Sequence, residues 1–196
     1  TIRPGFCGAR DSICISRVGL HKWEEPCISY GEGSGTVFFT GCVLKCVYCQ
    51  NHEISSMFKG KEVTAEILEY EILKLVSDGA VNINLVSPTQ YALFLIPVLE
   101  RVKKKTDVPI VYNTGGYESV ETLKRLDGLI DIYLTDIKYF DPNLSLKYSG
   151  ASNYFEKATQ ALFQMHTQVG YAKFDDDGHM QKGVLVRHLV LPSLYK

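Results

Sequence analysis

Five short, almost uninterrupted apolar runs, at 36–40, 81–86, 108–112, 130–135 and 184–191, constrain this chain more than any other feature. A strand that alternates apolar and polar residues has one wet face, whereas a continuous apolar strand is covered on both faces, the setting of a parallel sheet with helices packed against it. The intervening sequence supplies such helices. Residues 64–78 carry the stripe Leu68, Ile72, Leu75 and Val76, with Thr64 as a cap and Gly79 as a stop. Residues 119–126 form a short helix capped by Ser119. Residues 153–169 carry Phe155, Ala158, Leu162, Met165 and Val169, closed by Gly170. Residues 90–105 are helical in composition, with Pro97 expected to break or kink them. Lys103, Lys104 and Lys105 read as a solvated helix end. This alternation predicts an α/β fold, a partial (β/α) barrel with five strands visible. A dinucleotide fold fits less well. No glycine-rich phosphate turn follows any strand, and Gly31, Gly33 and Gly35 lack a preceding strand and a following helix.

Residues 1–34 are rich in Gly, Pro, Cys and Ser and read as an irregular N-terminal arm with one or two short strands; residues 35–196 form the barrel. Within the arm, Trp23-Glu24-Glu25-Pro26 reads as a solvated turn on an aromatic rather than a ligand site. Residues 171–178 read as a surface hairpin, and their three aspartates lack EF-hand spacing. The chain opens at Thr1 in irregular sequence and closes just after the fifth run, so it reads as part of something longer, truncated at its C-terminal side. Charge is balanced, 21 Lys+Arg against 22 Asp+Glu, which calls for neither nucleic acid nor a membrane surface, and no apolar run is long enough to span a bilayer.

The chemistry concentrates in Gly41-Cys42-Val43-Leu44-Lys45-Cys46-Val47-Tyr48-Cys49-Gln50-Asn51, directly after the first strand. Three thiolates at C-x3-C-x2-C in one loop can hold three irons of a 4Fe-4S cube and leave the fourth open, whereas clusters kept for electron transfer alone usually take four cysteines. A zinc-stabilised barrel acting as a binding or interaction protein is the alternative, with His52 as fourth ligand, although zinc sites more often bring two separate arms and no second arm follows. Buried apolar thiols are the third reading, disfavoured by the polar Lys45, Gln50 and Asn51. Cys7, Cys14 and Cys27 lack ligand spacing. An iron-binding triple implies a reducing compartment, the cytoplasm, and no disulfide framework.

In parallel barrels the chemistry gathers at the carboxyl ends of the strands. Those ends carry Cys42 after the first strand, Ser87 and Thr89 after the second, and Asn113 and Thr114 after the third. Asp136 and Lys138 follow the fourth, and Arg187 and His188 lie in the fifth. Asp136 and Lys138, one residue apart, share a face, and Ile137 points to the helices.

These residues carry a resemblance. The run 36–42 through Cys49-Gln50-Asn51, then Tyr112-Asn113-Thr114-Gly115-Gly116-Tyr117, Asp136-Ile137-Lys138 and Arg187-His188-Leu189-Val190-Leu191-Pro192, resembles the radical S-adenosylmethionine superfamily. Within it, the resemblance is to the glycyl-radical-activating group typified by pyruvate formate-lyase-activating enzyme. Gly5-Phe6-Cys7-Gly8 and Trp23-Glu24-Glu25-Pro26 look like a separate branch of that group. The resemblance implies a six-stranded core, of which five strands are visible. It implies a 4Fe-4S cluster on Cys42, Cys46 and Cys49, and S-adenosylmethionine bound at the strand ends and cleaved to a 5'-deoxyadenosyl radical. Tyr48 would lie against the adenine, Asn113 and Thr114 near the ribose and carboxylate, and Asp136, Lys138 and Arg187 beside the methionine moiety. A salt bridge in the barrel mouth is the structural alternative for Asp136 and Lys138. The family commonly has Gly-Gly-Glu after the second strand. Here Ser87-Pro88-Thr89-Gln90 offers hydroxyls and carbonyls but no carboxylate. A flavodoxin- or ferredoxin-like electron donor and a protein substrate with a glycine complete what the resemblance implies.

Overall fold

A computed structural model describes residues 5–9 and 11–192. In chain order its elements are β1 (Ile13–His21), β2 (Ser34–Phe39), α1 (His52–Ser55), β3 (Lys61–Val63), α2 (Ala65–Ser77), β4 (Ile83–Val86), α3 (Ala92–Lys103), β5 (Ile110–Thr114), α4 (Val120–Arg125), β6 (Ile132–Asp136), α5 (Pro142–Ser149), α6 (Tyr154–Val169), β7 (Lys173–Phe174) and β8 (Met180–Arg187). Among the described residues the strands form one open sheet in the order β3-β1-β2-β4-β5-β6-β8-β7. The five expected core strands, β2, β4, β5, β6 and β8, run parallel. The flanking β1, β3 and β7 pair antiparallel. The architecture is the expected α/β partial barrel, with its sheet unclosed.

Strand alternation divides the core in two. Ile83, Leu85, Ile110, Tyr112 and Tyr133 face outward against Leu68 and Ile72 of α2, Leu95 and Leu99 of α3 and Met165 of α6. Their neighbours Val111, Ile132 and Leu134 face inward and are covered by Ile28 and Met180. The arm therefore crosses the inner face of the barrel. Asn82 Nδ2 donates to the Ile28 carbonyl at 2.6 Å, and Met180 N–H donates to that of Cys27 at 2.8 Å. Burying Ile28 is worth about 1.5–3 kcal/mol.

The helix caps follow the sequence. Thr64 Oγ1 accepts from Ile67 N at 3.3 Å, Ser119 Oγ accepts from Thr122 N at 3.4 Å, and Gly170 closes α6 at φ 71°. Pro97 does not end its helix. The ring lies on the exposed side, so the Leu93 carbonyl that loses its donor can turn to water. Strand β8 starts and ends four residues earlier than its apolar run. The 175–178 turn starts its pairing with β7, and its ladder with β6 ends at Asp136 opposite Arg187.

Two solvated readings are corrected. Lys103 Nζ pairs with Asp131 at 2.8 Å and Lys105 Nζ with Glu69 at 2.6 Å, so the lysine run anchors α3 to its neighbours. Trp23 is 88 % exposed, whereas Glu24 and Glu25 beside it turn in toward the barrel. The arm also supplies the nine-residue β1, with Ile13 and Ile15 buried. Among the described residues no helix is long and apolar enough to cross a membrane.

Candidate functional site

The cysteine loop leaves β2 through Gly41 at φ 79°, where a Cβ would press on the Cys7 carbonyl and the Phe58 ring. Leu44 is buried among Tyr139, Ala151, Tyr154 and Ala158, which pins the loop to α5 and α6. Lys45 N–H and Val47 N–H donate to the carbonyls of Ser149 and Tyr148 at 3.2 and 2.9 Å. Gln90 joins the ends of β2 and β4: its Nε2 reaches the carbonyls of Thr40, Gly41 and Ser87 at 2.9, 3.2 and 2.8 Å.

Each of the three sulfurs has one polar neighbour. Cys42 Sγ accepts from Leu44 N–H at 3.4 Å, Cys49 Sγ accepts from Ser55 Oγ at 3.4 Å, and Cys46 Sγ lies 2.9 Å from Ser149 Oγ. Burial pushes the Cys42 thiol up to about 11, and the charges of Cys46 and Cys49 add to the shift while Lys138 opposes it. All three cysteines are half-buried. Among the described residues, no three His, Cys, Asp or Glu side chains converge tightly enough to hold a single metal ion. Three thiolates on one loop are the donor set that a 4Fe-4S cube takes, one on each of three irons. His52 is exposed.

At the ends of β5, β6 and β8 the predicted residues meet. Arg187 Nε donates to Asp136 Oδ1 at 2.9 Å and Arg187 Nη2 to Asn113 Oδ1 at 2.8 Å, while Lys138 Nζ bonds Asp136 Oδ2. Glu24 and Glu25 approach Arg187 Nη1 at 3.7 and 3.6 Å from below. Burial works against the Arg187 charge, but Asp136, Glu25 and Glu24 outweigh it and hold its pKa up. Glu24 shifts upward through burial and then through the charge of Glu25. Lys138 also lies close to the cysteine loop: a Cβ on Gly115 would come within 3.6 Å of Lys138 Cε and 3.0 Å of Leu44 Cδ1. Two buried acceptors in this region have no protein hydrogen-bond partner, Gln90 Oε1 at the end of β4 and Glu25 Oε2, while Asn84 on the inner face of β4 lies against Glu24. Buried acceptors of this kind suit a polar ligand with a donor group.

The remaining predicted residues fall into two further groups. Thr89 and Thr114 do not face the Arg187 network. Their hydroxyls both donate to Glu118, a residue that sequence reasoning passed over. Ser87 adopts φ 55° and donates its N–H to the Asn113 carbonyl at 2.9 Å. Tyr48 bonds the Tyr139 hydroxyl, which lies 2.8 Å from Ser149 Oγ, so its ring is drawn toward α5. His188 lies beyond β8, exposed, its Nδ1 2.6 Å from the Ile137 carbonyl. Tyr154 fastens the site from beneath. Its hydroxyl lies 2.8 Å from the carbonyls of both Gly115 and Asp136 and accepts from Lys138 N–H at 3.0 Å. Gly116, at φ 83°, lets the loop pass against the Asp136 carbonyl where any Cβ would collide. A cavity of about 530 Å³ opens beside the loop, lined by Val43, Thr89, Tyr117, Glu118, Lys157 and Gln160 among others. Glu118, Gln90, Glu24 and Glu25 were missed because their sequence neighbourhoods resemble ordinary loop and helix-end residues.

Comparison with known proteins matches residues 36–167 to the family model of the Radical SAM superfamily. An uncharacterized protein of Methanocaldococcus jannaschii is 32 % identical over 199 residues, covering 96 % of this chain and 52 % of that protein. The pyruvate formate-lyase-activating enzyme of Clostridium pasteurianum is 35 % identical over 132 residues, covering 62 % of this chain and 53 % of the enzyme. The pyruvate formate-lyase 1-activating enzyme of Escherichia coli K12 is 25 % identical over 187 residues, covering 89 % of this chain and 68 % of the enzyme. The chain spans about half the length of the first two relatives.

Proposed function

Because the chain belongs to the Radical SAM superfamily, we propose that it is a radical S-adenosylmethionine iron-sulfur enzyme, an oxidoreductase similar to the glycyl-radical-enzyme-activating proteins. Cys42, Cys46 and Cys49 hold a 4Fe-4S cluster through three of its irons, and the strand ends of β4, β5, β6 and β8 hold S-adenosylmethionine. When bound, this pair supplies one-electron cleavage of a carbon–sulfur bond, giving methionine and a 5'-deoxyadenosyl radical that takes a hydrogen atom from the substrate. The electron comes from a flavodoxin- or ferredoxin-like donor.

The observation that carries this reading is the juxtaposition, at one edge of the sheet, of the cysteine loop with the Asn113–Arg187–Asp136–Lys138 network. That network presents fixed charges of both signs, which suits a methionine moiety with an ammonium and a carboxylate. Asp136 accepts from an ammonium or holds Lys138 and Arg187 toward a carboxylate. Asn113 fixes the guanidinium plane of Arg187 through its Oδ1. Ser87, Thr89 and Thr114 would supply further polar contacts and Tyr48 an aromatic one; Thr89 lines the cavity beside the loop together with Val43. Leu44, Tyr139 and Tyr154 exclude water from beneath the loop. A protein carrying a glycine is the substrate class suggested by the activating-enzyme relatives. A thiolate-held iron cluster suits a reducing compartment, the cytoplasm.

Anaerobic reconstitution followed by iron and sulfide analysis tests the cluster. About four irons and four sulfides per chain are expected, with 5'-deoxyadenosine released when S-adenosylmethionine and dithionite are added. A colourless protein that takes up zinc in place of iron would refute the reading.

A further inference from the structure

The end of α5 is built against the middle cysteine of the triple. Lys45 N–H and Val47 N–H, on either side of Cys46, donate to the carbonyls of Ser149 and Tyr148 at 3.2 and 2.9 Å. Gly150, at φ 74°, closes α5 directly after Ser149. Backbone register therefore sets the Ser149 hydroxyl beside Cys46, with Sγ and Oγ 2.9 Å apart. Ser149 is 1 % exposed and Tyr139 5 %, so water hardly competes for either hydroxyl. The Tyr139 hydroxyl lies 2.8 Å from Ser149 Oγ, and Tyr48 bonds Tyr139 in turn. The Tyr139 ring packs edge-on against Tyr154, 5.5 Å between centroids.

These four groups form a chain with one allowed direction once Cys46 is a thiolate. A sulfur bound to iron has no hydrogen to give, so it can only accept. A serine or tyrosine hydroxyl has a single hydrogen. Ser149 therefore gives its hydrogen to Cys46, Tyr139 gives its own to Ser149, and Tyr48 gives its own to Tyr139. Every link points at the sulfur, and hydrogen bonds in line polarise one another. The other two sulfurs have longer contacts: Cys42 accepts from the Leu44 backbone N–H and Cys49 from the Ser55 hydroxyl, both at 3.4 Å.

We propose that Ser149 donates a charge-assisted hydrogen bond to the Cys46 thiolate when the cluster is in place, and that Tyr139 and Tyr48 are positioning residues that orient and strengthen it. The consequence falls on the reduction potential. Reduction adds negative charge that spreads onto the thiolates, and a donor at a sulfur favours the more negative state. The relay makes the cluster easier to reduce by an outside electron donor. The inference rests on the proposed function in taking Cys46 as a ligand of a 4Fe-4S cluster.

The test is a redox titration of anaerobically reconstituted protein, followed by electron paramagnetic resonance of the reduced cluster. No S-adenosylmethionine is added, so the potential is read without activity. Ser149→Ala is expected to shift the reduction equilibrium about three- to tenfold toward the oxidised cluster, a potential lower by about 30–60 mV for one electron. Tyr139→Phe keeps Ser149 and the ring packing, so it should move the potential the same way by less, and Tyr48→Phe by less again. A cluster-loaded Ser149→Ala whose potential rises, or stays within about 10 mV of wild type, less than a twofold change, overturns the inference and leaves the proposed function standing. A shift in Ser149→Ala with none in Tyr139→Phe would overturn the part given to the tyrosines. If Ser149→Ala does not take up its cluster, Tyr139→Phe decides the matter: a lower potential supports the relay and an unchanged one overturns it. Failure of both variants to load would make the hydroxyls mere supports of the loop, which also overturns it. Wild-type protein that takes up no iron would overturn the inference and the proposed function together.

Discussion

Asp136→Asn is expected to weaken the site without dismantling the fold, and the structure sets the size of the effect. Asp136, Lys138 and Arg187 have side chains 17 %, 13 % and 33 % exposed, so water screens the group only in part. Asparagine keeps an acceptor for Arg187 Nε, which stands 2.9 Å from Oδ1. On the other side it presents an NH₂ to Lys138 Nζ, a donor facing a donor. Arg187 retains Asn113 at 2.8 Å and the arm carboxylates of Glu24 and Glu25 at 3.7 and 3.6 Å. The loss therefore falls mainly on Lys138. Breaking a fully buried pair costs about 3–5 kcal/mol, and losing one hydrogen bond to a charged group about 1.5–3 kcal/mol. The lysine stem can swing its ammonium toward solvent, which favours the lower range, about 2 kcal/mol. With a urea slope of about 2 kcal/mol/M, the midpoint should fall by about 1 M. Adding Lys138→Met should recover part of that loss by removing the unpaired cation. Equilibrium urea unfolding followed by circular dichroism measures both, and calorimetry on the cluster-loaded variant should show weaker S-adenosylmethionine binding. A midpoint within about 0.2 M of wild type would refute the energetic argument, and unchanged affinity in a folded, loaded variant would make the network purely structural.

Three further outcomes follow from other parts of the site. Ala at any one of Cys42, Cys46 or Cys49 should abolish the visible absorption of the reconstituted cluster, while His52→Ala, and Ala at Cys7, Cys14 and Cys27 together, should leave iron content unchanged; iron lost in the latter two would show that ligands come from outside the triple. Tyr154→Phe strips the partner from the Lys138 N–H and frees the Gly115 and Asp136 carbonyls, at a cost of about 1–3 kcal/mol. Scanning calorimetry should show Tm lower by about 2–4 °C for each kcal/mol, and an unchanged Tm would contradict the role given to that hydroxyl. Glu24, whose pKa is raised by burial and by Glu25, holds its proton longer when folded than when unfolded. It therefore loses stability as pH rises from its unfolded pKa through its folded one, and the deficit is constant above both. Glu24→Gln should be more stable than wild type at pH 7 and equal to it at pH 3.5. Urea midpoints at the two values check the sign, and a gain at the acidic value alone would reverse it.

Much of this organisation is legible along the chain. The apolar runs around Leu85, Tyr112 and Leu134 specify strands covered on both faces, because only a covered strand can dispense with a polar alternation. Thr64 and Ser119 mark helix starts through bonds made three residues away. The approach of Asn113, Asp136, Lys138 and Arg187 also follows from sequence, although Arg187 is 51 and 74 residues from its two partners. Parallel strands deliver all their carboxyl ends to one edge, so knowing where each strand stops is enough to place these residues together.

What tertiary structure alone decides is the partner of a side chain whose local sequence says nothing about burial. Ile28 and the acids Glu24 and Glu25 belong to a segment that reads as solvated arm, yet they line or cover the inner face because β1 turns the chain back across the open sheet. Glu118 reads as an acid before a helix cap, yet it lies beneath two strand ends that bring it hydroxyls from residues 4 and 29 positions away. Gln90 reads as a polar first-turn residue, yet its amide secures the carbonyls that launch the cysteine loop. Periodicity and capping are contacts within a turn or a strand, so residue order carries them. Whether a buried polar group is satisfied depends on atoms that only the packed sheet brings within hydrogen-bond reach.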